Sequence, residues 1–239
     1  DYATELSRRL DSAGKIPPIL ILNRANVRSF QGNNAEARAS IKAMLAEVGT
    51  GVSAAHKRAA LLSLISFALK DGDQADARAQ FDLLRPLLEQ LHKDAPERAN
   101  LPFTEARLAR LRGDARGALS TLRPLIDHLA ISAPTQIVYA NALLEAARCE
   151  AELGEYENAR VFLNRAERAR RSGISSSARS YWLGEVASIL ADIEGNAGAR
   201  TAERRARETA IAHYTSSLGM DAPTTVREIA KLVGMQNKP

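Results

Sequence analysis

The sequence predicts an all-α repeat protein: five helix hairpins in series, closed by a terminal helix. Three observations carry that expectation. Gly32-Asn33, Gly72-Asp73, Gly113-Asp114, Gly154-Glu155 and Gly195-Asn196 recur at spacings of 40, 41, 41 and 41 residues, and a period of that length marks one supersecondary unit copied in tandem, a solenoid. Hydrophobic residues make up 45% of the chain but aromatics only 5%, so the core must be built from Ala and Leu, the leading helix formers. No stretch shows the period-two alternation of a strand.

Taken in order, a short helix is expected near Tyr2 to Ala13. The hairpins are expected over residues 17–48, 53–92, 96–130, 134–171 and 175–217, and a capping helix over 224–233. Before Gly72 the chain runs through Leu61, Leu62, Leu64, Ile65, Phe67, Ala68 and Leu69, and a helix apolar nearly all round must be covered on most sides. After Gly72, Asp73 is placed to cap a helix carrying Ala77, Phe81, Leu84 and Leu88 on one face. The same pattern follows Gly113 with Ala118, Leu122, Leu125 and Leu129, and Gly154 with Ala159, Phe162, Leu163 and Ala166. Gly49-Thr50-Gly51, Asp94-Ala95-Pro96, Ser132-Ala133-Pro134, Ser172-Gly173 and Gly219 to Pro223 separate the units, as glycine past a helix end and proline at a helix start should. Thr225 and Glu228 have the spacing of a capping box for the last helix.

Composition removes several classes of function. No apolar run approaches the ~18 residues needed to cross a membrane, so no membrane insertion is expected. The net charge of +5, from 33 basic and 28 acidic residues, is too mild to argue for nucleic acid as a partner. One cysteine, Cys149, permits no internal disulfide and suits a small packing residue. It fits the cytoplasm better than the periplasm, which stays open. His56, His92, His128 and His213 fall in different units without metal-ligand spacing. No phosphate-binding glycine loop or nucleophile elbow is present. Neither an enzyme, a cofactor nor a metal is expected. The chain opens on Asp1 with no signal-peptide pattern, which suggests a piece of a longer protein.

Aligned on the turn glycine, the units share more than length. Five residues after it stand Ala37, Ala77, Ala118 and Ala159; nine after it stand Ile41, Phe81, Leu122 and Leu163; seven before it stand Ala25, Ile65, Ala106, Ala147 and Ser188. This pattern resembles the tetratricopeptide repeat (TPR), most clearly in Ala151 to Ala159, and its long period resembles the variety found in kinesin light chains and many bacterial signalling proteins. The resemblance covers roughly residues 17 to 233. It implies a right-handed α-α superhelix and a protein- or peptide-binding module, the interaction or sensor region of a signalling or regulatory protein. A small-ligand sensor switching an attached effector and a self-associating scaffold are the alternatives. In the fifth unit Arg200, Arg204 and Arg207 fall where Ala and apolar residues stand elsewhere. Taking Gly198 as its turn would put Glu203 at the Ala site, and a one-residue shift that uses Ala199 fits better.

In that family first helices line a concave groove, so the resemblance places Asn23, Asn26, Ser66, Asn100, Arg107, Arg110, Asn141 and Arg148 toward it. Asn offers donor and acceptor to a peptide backbone, and Arg offers paired donors to a carboxylate, so an acidic or C-terminal peptide is the expected ligand. Arg107 and Arg148 either meet it or pair with Glu105, Glu145 or Glu152. Tyr181 and Trp182 either anchor a peptide at the groove end or pack against the fourth unit. The arginine-rich stretches Arg160 to Arg171 and Arg200 to Arg207 read as solvated outer faces. Thr224 to Met235 looks like the first helix of a helix-turn-helix, but only four residues follow it, so a solenoid cap is the better reading.

Overall fold

A computed structural model describes residues 16–47, 52–170 and 176–236. Among these are eleven α-helices and a short 3-10 turn, and no strand. The leading helix near Tyr2 to Ala13, the Gly49-Thr50-Gly51 and Ser172-Gly173 breakers, and Arg171 lie outside the described residues. The chain divides into two compact units, residues 1–91 and 92–239.

In the first unit α1 (Pro18–Phe30) pairs with α2 (Asn34–Glu47), and α3 (Ala54–Lys70) with α4 (Gln74–Glu89). The second unit opens on the 3-10 turn Pro96–Ala99. Three hairpins follow: α5 (Asn100–Leu111) with α6 (Ala115–Ser132), α7 (Ile137–Glu152) with α8 (Tyr156–Arg170), and α9 (Ser176–Asn196) with α10 (Arg200–Leu218). Helix α11 (Pro223–Gln236) comes last and packs on α10.

The turns are near copies. Gly32, Gly72, Gly113 and Gly154 take φ of +87°, +76°, +88° and +81°, a left-handed backbone that only glycine adopts without cost. The next amide donates to the carbonyl five residues back, Asn33 to Arg28 at 2.9 Å, Asp73 to Ala68 at 2.9 Å, Asp114 to Ala109 at 3.1 Å and Glu155 to Glu150 at 2.9 Å. That bond satisfies an orphan carbonyl at the helix end. Asp73 then caps α4 by accepting from the Asp76 amide at 3.0 Å, and Asp114 caps α6 by accepting from Gly117 at 2.8 Å. Ala37, Ala77, Ala118 and Ala159 are wholly buried, as are Ala25 and Ala147 seven residues before their turns. These small residues let the two helices of a hairpin approach closely. Helix α7 is covered nearly all round, from Val138 to Cys149.

The fifth turn overturns the sequence register. The left-handed glycine is Gly198, φ +76°, and the Ala199 amide donates to the Glu194 carbonyl at 2.9 Å. Gly195 is inside α9, which runs on to Asn196. The position seven before the true turn is therefore Ala191, fully buried, and not Ser188. Glu203 does take the Ala site, and the structure shows what makes room for it. A side-chain carbon on Gly195 would lie 2.8 Å from the Glu203 carboxyl carbon. Glycine on one helix has replaced alanine on the other.

Nine residues past Gly198 stands Arg207, where Ile, Phe and Leu stand in the other hairpins. It is buried, and the solvated outer face expected from Arg200 to Arg207 holds for Arg200, Arg204 and Arg205 only. Arg207 donates to Glu228 at 3.0 Å, Asp192 at 2.9 Å and Glu203 at 2.9 Å. Glu228 is itself buried and accepts from Ser188 at 3.0 Å. The capping box expected of Thr225 and Glu228 is thus not formed. Glu228 turns back to Arg207, and the Thr225 hydroxyl donates to the Gly219 carbonyl at 2.9 Å. Helix α11 begins two residues before Thr225, at Pro223, so Thr225 is too far inside to cap it.

The turn register makes a sharp prediction. Gly198→Ala forces alanine into a left-handed backbone and should cost about 1 kcal/mol or more. Gly195→Ala gains up to about 1 kcal/mol of helix propensity, set against displacing the end of the Glu203 side chain. Urea unfolding should therefore show the larger loss for Gly198→Ala; the reverse order would place the turn at Gly195.

Candidate functional site

The polar face of the second unit is built from helix period alone. Residues three and four apart share a face, so α5 presents Asn100, Arg107 and Arg110 as one stripe. Helix α7 presents Asn141, Glu145, Arg148 and Glu152, and α9 presents Tyr181, Glu185, Ser188 and Asp192. These first helices of successive hairpins touch, α5 with α7 and α7 with α9.

Charges join the stripes. Arg110 Nε donates to Glu145 Oε1 at 2.5 Å and its Nη1 to Glu152. Arg148 Nη1 donates to Glu145 Oε2 and its Nη2 to Glu185 Oε1, each at 3.2 Å. Each oxygen of Glu145 therefore serves a different arginine, and its side chain is only 1% exposed. Burial by itself would raise the Glu145 carboxyl, but Arg148, Arg110 and Arg107 more than offset it and hold it below the ordinary 4.5. Arg107 differs from its neighbours. It is half-buried, and among the described residues it has no hydrogen-bond or ion-pair partner. Burial lowers its guanidinium from 12.5, with Glu145 and Glu185 opposing and Arg148 and Arg110 adding to the effect; an arginine so placed is still a cation at neutral pH.

The other sequence candidates separate. Asn100 Nδ2 donates to the Glu97 carbonyl at 2.9 Å and so closes the preceding 3-10 turn. Asn141 is half-buried on the α7 stripe. In the first unit Asn23 is exposed, and Asn26 and Ser66 are half-buried, on α1 and α3. Those two helices are linked by Lys70 Nζ donating to Ser29 Oγ at 3.0 Å. Trp182 requires correction as a groove anchor: it is 4% exposed and belongs to the core packed between α8 and α9, with the Arg170 guanidinium 5.0 Å above its ring. Its neighbour Tyr181 stacks tilted on Tyr214, ring centroids 5.7 Å apart. The Tyr214 ring occupies the space beside Gly184, where a side-chain carbon would meet it at 2.7 Å.

Sequence reasoning did not assign Glu185 as the partner of Arg148. The signal was present as a separation of 37 residues, close to one repeat. The same near-repeat separation joins Arg38 to Asp73 at 2.7 Å and to Asp76 at 2.5 Å, and Arg160 to Glu194 at 2.7 Å. Arg160 is thus tied down, not merely solvated, and its hydrogen bond is the main cause that holds the Glu194 carboxyl low. Cys149 is buried, and burial pushes its thiol up to about 12, away from the reactive thiolate form. No helix among the described residues is long and apolar enough to cross a membrane.

No protein-family model matches the chain, and no curated protein matches it by sequence. Solved structures do. The chain is similar to BtubC (BKLC) from P. vanneervenii, with a TM-score of 0.52 at 12% identity over 88% of this chain and 91% of that one. It is also similar to the TPR-like repeats of a putative kinesin light chain from Podospora anserina, with a TM-score of 0.50 at 16% identity over 85% of this chain and 99% of that one. The fold is that of the TPR-like repeat. At such identities the likeness concerns the fold, and what this TPR-like chain binds must come from its own side chains.

Two predictions follow from the pairing pattern. Arg110→Ala strips the main partner from a buried carboxylate and should cost about 3 kcal/mol, whereas Arg107→Ala breaks no ion pair and should cost well under about 1 kcal/mol; urea unfolding at neutral pH separates them. Because the folded Glu145 titrates below its unfolded value, its contribution is full above about 4.5 and is lost as pH falls through the lower folded value. The unfolding midpoint should drop on acidification below that point, and the drop should be shallower in Glu145→Gln.

Proposed function

We propose that this chain is a non-catalytic, peptide- or protein-binding TPR-like module, and that the first-helix face of α5, α7 and α9 is its contact surface. The observation that carries the reading is the company Arg107 keeps: a half-buried cation that no described residue hydrogen-bonds or pairs with, set among charged side chains that are already matched. A surface of fixed, satisfied charges with one open donor group is suited to recognition, because the partner meets groups that need little reordering.

The ligand class that suits it is an acidic segment or a free C-terminus. Asn141 on α7 supplies a neutral donor and acceptor for peptide backbone; within the first unit, taken by itself, Asn23, Asn26 and Ser66 offer the same chemistry on α1 and α3. The module is read as the interaction region of a bacterial signalling or regulatory protein, by likeness to the long-repeat TPR variety. Attachment to an effector belongs to the same reading.

Selection from a displayed library of random peptides tests this. Enriched peptides should carry Asp, Glu or a free C-terminus, and should shift backbone amide signals of α5, α7 and α9. Their affinity should fall about tenfold or more in Arg107→Ala/Arg148→Ala, the loss expected for one charge-assisted contact. Unchanged affinity in that variant rejects the proposal. Thermal stabilisation by metabolites but not by peptides would favour a small-ligand sensor, and a mass that rises with concentration in light scattering would favour a scaffold.

A further inference from the structure

We infer that the outer edge of the last hairpin, Arg200 and Arg204 on α10 beside the exposed stripe Val226, Ala230 and Val233 on α11, is a docking seat for an acidic amphipathic helix of a partner protein. The seat does not include Arg107 or its neighbours, so it stands or falls separately from the contact face proposed above.

Hairpins within a unit are sealed to one another in a repeating way. Positions two, six and ten past the turn glycine share one face of each second helix, and side chains on that face reach the next hairpin. In the first hairpin they are Asn34, Arg38 and Lys42. Asn34 donates to Asp71 at 2.7 Å, Arg38 reaches Asp73 at 2.7 Å and Asp76 at 2.5 Å, and Lys42 reaches Asp76 at 3.1 Å. In the third hairpin Arg123, ten past the glycine, holds Glu150 at 2.8 Å. In the fourth, Arg160, six past it, holds Glu194 through bonds of 2.7 and 2.8 Å. Each of these carboxylates belongs to the hairpin that follows.

The fifth hairpin carries the same cationic face with no carboxylate on it. Counted from Gly198, Arg200 and Arg204 stand two and six residues past the turn. Both are exposed, and among the described residues neither has a hydrogen-bond or ion-pair partner. Helix α11 comes next and turns Glu228 inward to Arg207 and Ser188. Its opposite side is uncovered: Val226 and Val233 are 50% and 49% exposed, and Ala230 between them is exposed too. Spacings of four and three put the three on one apolar stripe. A cavity of about 810 Å³ joins the two features, with Arg200 on its α10 wall and Gly234 and Met235 on its α11 wall.

The occupant is set by charge complementarity and by what the other junctions use. Arg38 takes its carboxylates from the start of α4, whose apolar face of Ala77, Phe81, Leu84 and Leu88 is buried. An apolar stripe flanked by two unmatched guanidinium groups asks for the same chemistry. Apolar residues at helical spacing cover Val226, Ala230 and Val233, and carboxylates in the first turn meet Arg200 and Arg204. Carboxylates at that end also suit the helix dipole. A nucleic acid would engage the arginines through phosphate but leave the apolar stripe in water, so a helix is the better fit.

The experiment uses the whole chain labelled with nitrogen-15 and a synthetic peptide that copies residues 71–90, in which Asp71, Asp73 and Asp76 precede the apolar face of α4. A control peptide carries Asp71→Asn/Asp73→Asn/Asp76→Asn. The proposal expects the acidic peptide to move the backbone amide signals of Arg200, Arg204, Ala230 and Val233 and to leave those of Arg107 and Arg110 in place. Arg200→Ala/Arg204→Ala should lose about tenfold in affinity at an unchanged unfolding midpoint, and the control peptide should lose about as much on the wild-type chain. The two losses should not add, because they remove the same contacts. Ala230→Asp sets a like charge in the stripe and should lose about tenfold or more. If no peptide moves these signals, or the arginine variant binds as wild type, the seat is wrong. If the acidic peptide moves Arg107 and Arg110 instead, the seat is wrong and the first-helix contact face stands. If it moves α10 and α11 while library peptides leave α5, α7 and α9 unmoved, the seat stands and that face fails. A mass that doubles with concentration and returns to that of one chain in Ala230→Asp would give the stripe to a second copy and overturn the partner assignment.

Discussion

Every hairpin depends on one geometric constraint, the close return of the chain at its turn. A left-handed glycine lets the helix end by donating the next amide back to the carbonyl five residues earlier. The residue five past the glycine and the residue seven before it are small in most hairpins: Ala25, Ala37, Ala147 and Ala159 are wholly buried, while the second hairpin buries Ile65 at one of these positions. The larger apolar residues one turn further on, Phe81 and Leu122 among them, fill the space that the close approach leaves.

The fifth hairpin shows how far that constraint bends. Glu203 sits at the small-residue position, and Gly195 opposite gives up its side chain to admit it. Arg207 sits where a core residue belongs and draws in Glu228, Asp192 and Glu203. A buried ion cluster contributes little net stability, because desolvation offsets much of the attraction. What it adds here is register: Glu228 on α11 accepts from both Arg207 and Ser188.

Charge pairing between hairpins is the second structural theme, and it leaves the first-helix face mixed in charge instead of merely basic. Arginines reach carboxylates about one repeat further along the chain, as Arg38 does with Asp73, Arg110 with Glu145, Arg148 with Glu185 and Arg160 with Glu194. On the first-helix face of the second unit, Arg110 and Arg148 are committed to protein carboxylates in this way. The face of α5, α7 and α9 is cross-linked by ion pairs, and Arg107 stands apart as the one guanidinium of its three whose donors the described residues leave unused.

The glycine ladder and the Ala-Leu core by themselves determined the all-α repeat fold, four of the five turns and the hairpin crossing positions, because a positive φ and a close helix contact each demand one residue type. The polar stripe on α5 and α7 was legible from helical period. Tertiary structure alone decided the fifth turn: Gly195-Asn196 fits the repeat spacing, but Gly198 takes the left-handed backbone and Gly195 faces Glu203 from inside α9. It also decided that Trp182 belongs to the core, that Thr225 and Glu228 do not cap α11, and which of three similar arginines keeps its donors free. Sequence spacing says which side chains share a face; which carboxylate claims which guanidinium is settled only where separate helices meet.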